Sequence, residues 1–336
     1  MAANESTEGA VLDTPVGFTI VVPSLNQGRF IADALNSLLN QGYPRLEIIV
    51  VDGGSTDETL EILRSYHDRI HWICEKDKGQ ADALKKGFAM AKREWLSWLN
   101  SDDVQSNGAL FRVQEAIKEN PTAQVIVGQG HYIGESGDYL RPYPTVRIDP
   151  GVDVMRELFE KGYLAQPSVF FHRAAYEAVG GIDPTLHYVL DYDLFVRLAR
   201  RNCRFVAIGS DISGNRWHPS AKTASQLLLL YGEAAFVQNK EYRRVSAYFV
   251  QAISDCLYEN LWRRHRSDEH HLFYRTMYFK AVWLWLNLHR PFHCLWGLLA
   301  QNIAKSGPIV GDKLTFVEML QLLLRALRHR LARASS

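Results

Sequence analysis

The chain has 336 residues, of which 47% are hydrophobic and 22% are charged, and its formal net charge is +1. This composition is typical of a folded globular protein and excludes the disordered and collagenous classes. The near-zero net charge gives no general attraction to nucleic acid, and we predict no nucleic-acid partner.

Four cysteines lie far apart in apolar surroundings, at Cys74, Cys203, Cys256 and Cys294. Their spacing matches no zinc motif, so we predict no structural zinc site and expect mostly buried thiols in a reducing compartment. The N-terminus lacks the pattern of a secretory signal. The most apolar later stretch, 281–286, is far shorter than the roughly 20 residues of a membrane-spanning helix. We therefore predict a cytoplasmic protein.

Strand and helix patterns alternate from residue 18 to about residue 120. Continuous apolar runs predict four buried strands, at 18–23, 46–52, 70–74 and 94–100. Helical spacing of apolar residues predicts a helix after each strand, and Ser55 and Glu58 have the spacing of a capping box. Such alternation predicts a parallel sheet with helices on both faces. Ligands bind these sheets beyond the strands' carboxyl ends, which brings together the loops 23–29, 52–57 and 99–104.

Two acidic clusters stand out after residue 100. The segment Asn100-Ser101-Asp102-Asp103 follows the fourth predicted strand, and adjacent acids there suit a divalent cation that also binds diphosphate oxygens. Asp191 and Asp193 open a predicted helix. Helix capping is the alternative interpretation of the first cluster, because acidic and small polar side chains favour helix N-termini. Taken alone, the second cluster favours capping for at least one of its two acids.

The loop from Asp52 to Asp57, DGGSTD, joins a buried strand to a predicted helix N-terminus. Glycines at this place let backbone amides approach a ligand, and the start of a helix favours anions. The loop lacks the glycine spacing of the dinucleotide fingerprint, and the chain has no GxxxxGK[ST] motif. A plain turn is the alternative interpretation.

In their order and spacing, four segments resemble family 2 glycosyltransferases, and more narrowly the bacterial branch that builds cell-surface polysaccharides and glycolipids. The segments are VVPSLNQGRFIADALNSLLNQGYPRLEIIVVDGGSTDETLEIL, EKDKGQADALKKGFAMAKREWLSWLNSDDV, QPSVFFHRAAYEAVGGID and LDYDLFVRLARR. On this basis we predict a catalytic domain over 17–222. A disordered lead-in over 1–16 precedes it, and a helical C-terminal extension over 223–336 follows.

The resemblance implies the GT-A fold, with a Rossmann-like, mostly parallel central α/β sheet flanked by helices. It also implies inverting transfer of a sugar from a nucleoside-diphosphate sugar, UDP- or dTDP-linked, to a hydroxyl of a saccharide or lipid-linked acceptor, with Mg²⁺ or Mn²⁺ as cofactor. Asp191 matches the family's general base, with Asp193 as the alternative, and Asp103 and His218 match its metal ligands. The residues implied in donor binding are Pro23, Ser24, Asn26, Asp52, Gly54, Asp77, Gly79, Gln80 and Asp102.

Within that resemblance, Asp52 is expected to bind the base and Asp102 the ribose, while Asn100 occupies a position where the family has an acid. Tyr188 and Tyr192 are candidates for stacking on a sugar ring. Two alternative functions are a sugar-1-phosphate nucleotidylyltransferase and a catalytically silent nucleotide-sugar-binding scaffold. The first needs a different N-terminal loop, and the intact carboxylates argue against the second.

The C-terminal extension contains a leucine stripe beside several arginines, which predicts a basic amphipathic helix over about 320–333. Such a helix can lie in the interface of an anionic membrane. Three interpretations remain open for it: peripheral contact with the inner face of the plasma membrane, packing on the catalytic domain, and a homodimer interface.

Overall fold

The computed structural model describes residues 14–146, 148–218, 227–261 and 282–283. Within these ranges it has nine strands: β1 (Phe18–Ser24), β2 (Leu46–Asp52), β3 (His71–Cys74), β4 (Trp95–Trp98), β5 (Val104–Gln105), β6 (Val125–Ile133), β7 (Tyr139–Pro142), β8 (Val169–His172) and β9 (Phe205–Arg216). The same ranges hold nine α-helices: α1 (Ile31–Leu39), α2 (Thr59–Ser65), α3 (Gln80–Met90), α4 (Ala109–Glu119), α5 (Val154–Glu160), α6 (Arg173–Ala178), α7 (Leu190–Arg200), α8 (Leu227–Tyr242) and α9 (Ala247–Leu261).

All nine strands belong to one sheet, in the order β3-β2-β1-β4-β8-β6-β9-β5, with β7 paired to β6. The four predicted strands, β1 to β4, pair in parallel. Beyond β4 the sheet is mixed, because β8 runs antiparallel to both β4 and β6 whereas β6 and β9 run parallel. The predicted α/β fold is confirmed, with a parallel half that continues into a mixed half.

Side chains of the central strands alternate between two apolar cores, one on each face of the sheet. In β1, Val21 packs into the core that contains residues of α3, α7 and α8, while Ile20 and Val22 pack into the core that contains residues of α1 and α4. Helix α1 buries Ile31, Ala34, Leu35 and Leu38, which recur at helical spacing along one face. Both faces of the sheet are therefore covered, which explains the continuous apolar runs of β1 and β2.

The start of α2 differs from the sequence prediction. The helix begins at Thr59, and Ser55 makes no capping bond to it; the Ser55 hydroxyl instead donates to Asp52 Oδ2 at 2.6 Å. The Asp57 carboxylate accepts from the Thr59 amide at 3.1 Å, close to the true helix start. The prediction of a capping box was wrong because the Ser55 hydroxyl bonds to the buried Asp52 carboxylate instead of to a backbone amide of α2.

Part of the C-terminal extension packs on the preceding residues. On α8, Gln238 donates to the Phe159 carbonyl at 2.8 Å, and Tyr242 donates to the Met155 carbonyl at 3.0 Å. The predicted helical character is confirmed for α8 and α9, while the leucine stripe over 320–333 lies outside the described residues. None of the helices that the structure describes is both long and apolar enough to cross a membrane.

The expectation of buried thiols was wrong for the described cysteines. Cys74 is exposed, and Cys203 and Cys256 are half-buried. Cys74 ends the edge strand β3, where its thiol donates to Asp52 at 3.4 Å while one side faces solvent.

Candidate donor and catalytic site

A cleft of about 740 Å³ opens at the carboxyl ends of β1 and β4. The strand register brings the ends of β1, β2 and β4 together. Ser24 and Asp52 end β1 and β2 as direct neighbours, and Trp98 of β4 pairs with Val21 of β1. Nine of the residues implied by sequence line this cleft: Pro23, Ser24, Asp77, Gly79, Gln80, Asp102, Asp103, Asp191 and His218. Asn26, Asp52 and Gly54 are not among the residues that line it.

Asp52 is fully buried and engages its own loop. Its Oδ1 accepts from the Gly54 amide at 3.0 Å and from the Ser55 amide at 2.7 Å. Gly54 has φ +95°, a conformation that favours glycine because it has no Cβ. The Asp52 carboxylate therefore fixes the shape of the loop rather than presenting a free acceptor to the cleft.

Asn26 ties the loop after β1 to the loop after β2. Its amide N–H donates to Ser55 Oγ at 2.7 Å, and its Oδ1 accepts from the Thr56 amide at 2.9 Å. Ser24, in contrast, lines the cleft, and its buried hydroxyl has no hydrogen-bond partner among the described residues. An unpartnered buried hydroxyl is costly, so this atom is suited to bind a ligand.

The segment before α3 shapes the same side of the cleft. Asp77 Oδ1 accepts from the Gly79 amide at 2.8 Å, and Gly79 has φ +114°, which favours glycine at this turn. Gln80 donates to Asn100 Oδ1 at 2.7 Å. This bond links the start of α3 to the acidic segment after β4.

The neighbouring acids Asp102 and Asp103 differ in their surroundings. Asp102 Oδ2 lies 3.0 Å from His218 Nε2, and 22% of the Asp102 side chain is exposed to the cleft. Asp103 is buried, and its two oxygens accept from the Arg216 amide at 2.8 Å and from Asn100 Nδ2 at 2.9 Å. Burial, and then the charge of Asp102, raise the pKa of Asp103 well above its ordinary value.

No three His, Cys, Asp or Glu side chains come together as metal ligands within the described ranges. Asp102 and His218 nevertheless form a pair that faces the cleft. One carboxylate and one imidazole, completed by phosphate oxygens of a substrate, suit Mg²⁺ or Mn²⁺, since these ions often take only one or two protein ligands beside a bound phosphate.

Asp191 and Asp193 open α7 but face different surroundings. Asp191 is half-buried at the cleft, and its Oδ1 accepts from the Tyr192 amide at 2.8 Å. Burial, assisted by the charge of Glu233, raises the pKa of Asp191 to about 6. Asp193 is fully buried away from the cleft, where Arg197 pairs with it at 2.6 Å. Asp191 is therefore the acid that lines the cleft, whereas Asp193 has a structural environment.

A protein-family model describes residues 19–180, and its description is glycosyl transferase family 2. The matched range is a little under half of the chain. This range contains the donor-side loops and the acidic segment after β4, whereas Asp191, His218 and the helices α8 and α9 lie beyond it.

Curated relatives of this chain are named as glycosyltransferases. An uncharacterised glycosyltransferase of Rickettsia prowazekii is 29% identical over 190 residues, which are 54% of this chain and 58% of that protein. The chain therefore spans little more than half the length of this relative. A PGL/p-HBAD biosynthesis glycosyltransferase of Mycobacterium bovis is 28% identical over 185 residues, which are 54% of this chain and 68% of that protein.

Solved structures share the fold across most of the chain. Staphylococcus aureus TarS 1–349 in complex with UDP-GlcNAc has a TM-score of 0.55 and 16% identity, covering 81% of this chain and 82% of that one. A Pyrobaculum calidifontis mannosyltransferase in complex with GDP-Man and Mn²⁺ has a TM-score of 0.54 and 17% identity, covering 95% and 89%. At this identity the likeness shows the fold alone, which is the GT-A fold of glycosyltransferases.

Sequence reasoning missed two residues of this cleft. Arg216 is almost fully buried and donates to the Asp102 carbonyl at 2.7 Å, to the Glu135 carbonyl at 2.6 Å and to Asp33 at 3.1 Å. Tyr143 lines the cleft, where burial, the neighbouring Tyr132 and the charges of Asp191 and Asp103 raise the pKa of its hydroxyl well above the ordinary value. The sequence signal for Arg216 was its place two residues before His218, whereas Tyr143 lies in a segment without any motif.

The far half of the cleft is aromatic. Tyr132 stacks on Tyr143 with ring centroids 4.9 Å apart, and Tyr248 donates to the Tyr163 hydroxyl at 2.9 Å. Further lining residues there are Tyr188, Trp217, Leu227, Leu230 and Tyr231. Tyr192, a predicted sugar platform, is instead buried and donates to the Leu158 carbonyl at 3.0 Å, so that prediction was wrong.

Proposed function

We propose that this protein is an inverting glycosyltransferase that moves a sugar from a nucleoside-diphosphate sugar to an acceptor hydroxyl. The position of Asp191 supports this proposal most directly. Its half-buried carboxylate lies in the same cleft as the donor-side residues, which fall within the range matched by the family 2 model. The GT-A fold shared with structures that hold UDP-GlcNAc and GDP-Man supports a nucleotide-sugar donor.

In this proposal the donor lies against the ends of β1 and β4. Pro23 and the free hydroxyl of Ser24 contact the nucleoside, and Asp77, Gly79 and Gln80 line its other side. Asp52, Asn26 and Gly54 act indirectly. Because their hydrogen bonds hold the loops after β1 and β2 in a single arrangement, they determine the width of the nucleoside pocket.

We propose Asp102 and His218 as the protein ligands of a divalent cation, on the basis of their 3.0 Å contact at the cleft surface. This revises the roles implied by the resemblance, which gave the metal to Asp103 and the ribose to Asp102. Asp103 instead supports the ligand pair, since its oxygens are taken by Arg216 and Asn100. When bound, the cation would neutralise charge that accumulates on the leaving diphosphate.

Asp191 acts as the general base. An acceptor hydroxyl attacks the anomeric carbon from the side opposite the diphosphate, the new C–O bond forms as the bond to the diphosphate oxygen breaks, and Asp191 takes the hydroxyl proton. A pKa of about 6 leaves Asp191 ionised at neutral pH and makes it a stronger base than an ordinary carboxylate. The configuration at the anomeric carbon is inverted as a result.

The acceptor occupies the aromatic half of the cleft. Ring faces of tyrosine and tryptophan stack on sugar rings, and the leucines of α8 extend the same surface with apolar side chains. We therefore propose an acceptor that joins a hydroxyl-bearing ring to an apolar group, in polysaccharide or glycolipid biosynthesis. The mycobacterial relative is named as a glycosyltransferase of PGL/p-HBAD biosynthesis, which supports a biosynthetic role.

The first test is nucleoside-diphosphate release from a panel of UDP-, dTDP- and GDP-sugars, each with Mn²⁺, Mg²⁺ or EDTA. We expect slow, metal-dependent hydrolysis of one donor, because water replaces the missing acceptor. Pyrophosphate release from a nucleoside triphosphate would instead indicate a nucleotidylyltransferase. Metal-dependent donor binding without hydrolysis or transfer would indicate a silent scaffold.

A further inference from the structure

Glu233 of α8 points its carboxylate at the segment directly before α7. It is 5% exposed, and its Oε2 accepts from three consecutive backbone amides: His187 at 2.9 Å, Tyr188 at 2.5 Å and Val189 at 3.1 Å. Its Oε1 also accepts from the His187 amide, at 3.1 Å. One buried side chain of the C-terminal extension thus satisfies three amides of a loop in the catalytic half.

Helix α7 has no side-chain cap of its own. Val189 precedes the helix and cannot accept a hydrogen bond through its side chain. The first N–H groups of a helix have no partner within it, and they favour negative charge nearby. Glu233 supplies that charge from another helix, and the loop that it holds leads within two residues to Asp191.

We propose that Glu233 is a positioning residue for Asp191, holding the backbone from which this base enters the cleft and setting the charge around it. This inference rests on the proposed function, in which Asp191 removes the acceptor proton. It assigns the extension a part in the reaction, because α8 lies outside the family 2 range that ends at residue 180.

The effect of the Glu233 charge on the pKa of Asp191 can be measured separately from its effect on the position of Asp191. After burial, the charge of Glu233 contributes to the raised pKa of Asp191. Tyr143, from the segment after β7, also interacts with Asp191, and Asp193 on the same helix is paired with Arg197 and Lys240. Removing the Glu233 charge should lower the pKa of Asp191, while loss of a purely structural contact should leave it in place.

The test compares Glu233→Gln with Glu241→Gln in the full chain. Glu241 lies on the same helix with an 8% exposed side chain, but it pairs with Arg200 at 2.7 Å, away from the base. For Glu233→Gln we expect kcat for donor hydrolysis to fall about 10- to 100-fold with donor KM little changed, since a small misplacement of a base costs this much. We also expect the acid limb of the kcat profile to move down by about half a pH unit or more.

Identical kinetics in the two variants would overturn the proposal, and so would a lower kcat with an unmoved acid limb. If Glu233→Gln fails to fold, Glu233→Asp is the second variant, because it keeps the negative charge on a shorter side chain. This variant should lower kcat, while the acid limb of its kcat profile should stay at the wild-type pH. The ¹³C carboxyl resonance of Asp191, assigned through Asp191→Asn, gives the same pKa without turnover. A wild-type protein inactive on every donor would therefore refute the proposed function while the Glu233 effect is still measured.

Discussion

The two halves of the cleft are built in different ways. The proposed donor half comes from strand ends that are neighbours by register, so the short segments Pro23-Ser24-Leu25 and Asn100-Ser101-Asp102-Asp103 carry many of its residues. The proposed catalytic and acceptor half joins Tyr143, Asp191 and Tyr231, which come from a loop, a helix start and the C-terminal extension. Local sequence therefore specifies the first half, whereas tertiary packing specifies the second.

The largest effect should follow from Asp191→Asn, which removes the proposed base and changes little in shape. We expect transfer and donor hydrolysis to fall about 10²- to 10⁴-fold, because this is the usual contribution of a general base. Donor affinity, measured by calorimetry, should stay within about twofold of wild type, since in the proposed mechanism Asp191 contacts the acceptor and not the donor. A variant with nearly wild-type turnover would refute the assignment.

The same substitution should stabilise the fold at neutral pH. The folded pKa of Asp191, about 6, lies above its ordinary value, so the folded state binds the proton more tightly than the unfolded state. Protonation therefore adds stability as pH falls from about 6 toward 4, and the ionised form costs stability above pH 6. Asp191→Asn should gain on the order of 1–3 kcal/mol at pH 7.5 in urea unfolding, and the gain should shrink toward pH 4.

The second acid of α7 offers a contrasting variant, Asp193→Ala. It removes a fully buried carboxylate that pairs with Arg197 and leaves that guanidinium without its partner charge. We expect a loss of about 3–5 kcal/mol in the free energy of unfolding, as for other broken buried pairs. The matched control is Glu160→Ala, which removes the exposed pair with Arg156 and should cost less than about 1 kcal/mol. Equal losses in the two variants would contradict the structural role of Asp193.

In the donor half, Asp102→Ala should weaken donor binding in the presence of Mn²⁺ by about 10- to 100-fold, as expected for an altered metal site. With EDTA, wild type and variant should bind the donor equally weakly. Asp103→Asn is the control, because an amide oxygen can still accept from the Arg216 amide. A larger loss of metal-dependent affinity in Asp103→Asn than in Asp102→Ala would restore Asp103 as the ligand.

The smallest effect concerns the aromatic half. Tyr248→Phe removes the hydroxyl that donates to Tyr163 and keeps the ring, so acceptor KM should rise only about two- to fivefold, within the usual worth of one hydrogen bond. Donor hydrolysis should not change, because Tyr248 lies in the proposed acceptor half. Equal loss of hydrolysis and transfer would show that this half also binds the donor.

The sequence predicted β1 to β4 because their apolar runs are continuous, and it predicted that the loops containing Ser24 and Asp102 converge because both follow parallel strands. Gln80 was predicted only from the family resemblance. It could not separate Asp102 from Asp103, since both are acids in one motif and only burial against Arg216 distinguishes them. The contact of Glu233 with the segment before α7 could not be predicted from the sequence for another reason. Its partners are backbone amides, which leave no pattern in a sequence.

The contact between Arg216 and Asp102 can form only late in synthesis on the ribosome. The parallel strands β1 to β4 are complete within the first 98 residues, but the guanidinium that holds the Asp102 backbone is 114 residues further along the chain than Asp102. At synthesis rates of about 5–20 residues per second, that interval lasts roughly 6–23 s. The nascent chain therefore carries a nearly finished half-sheet for many seconds before Arg216 can fix the acidic segment.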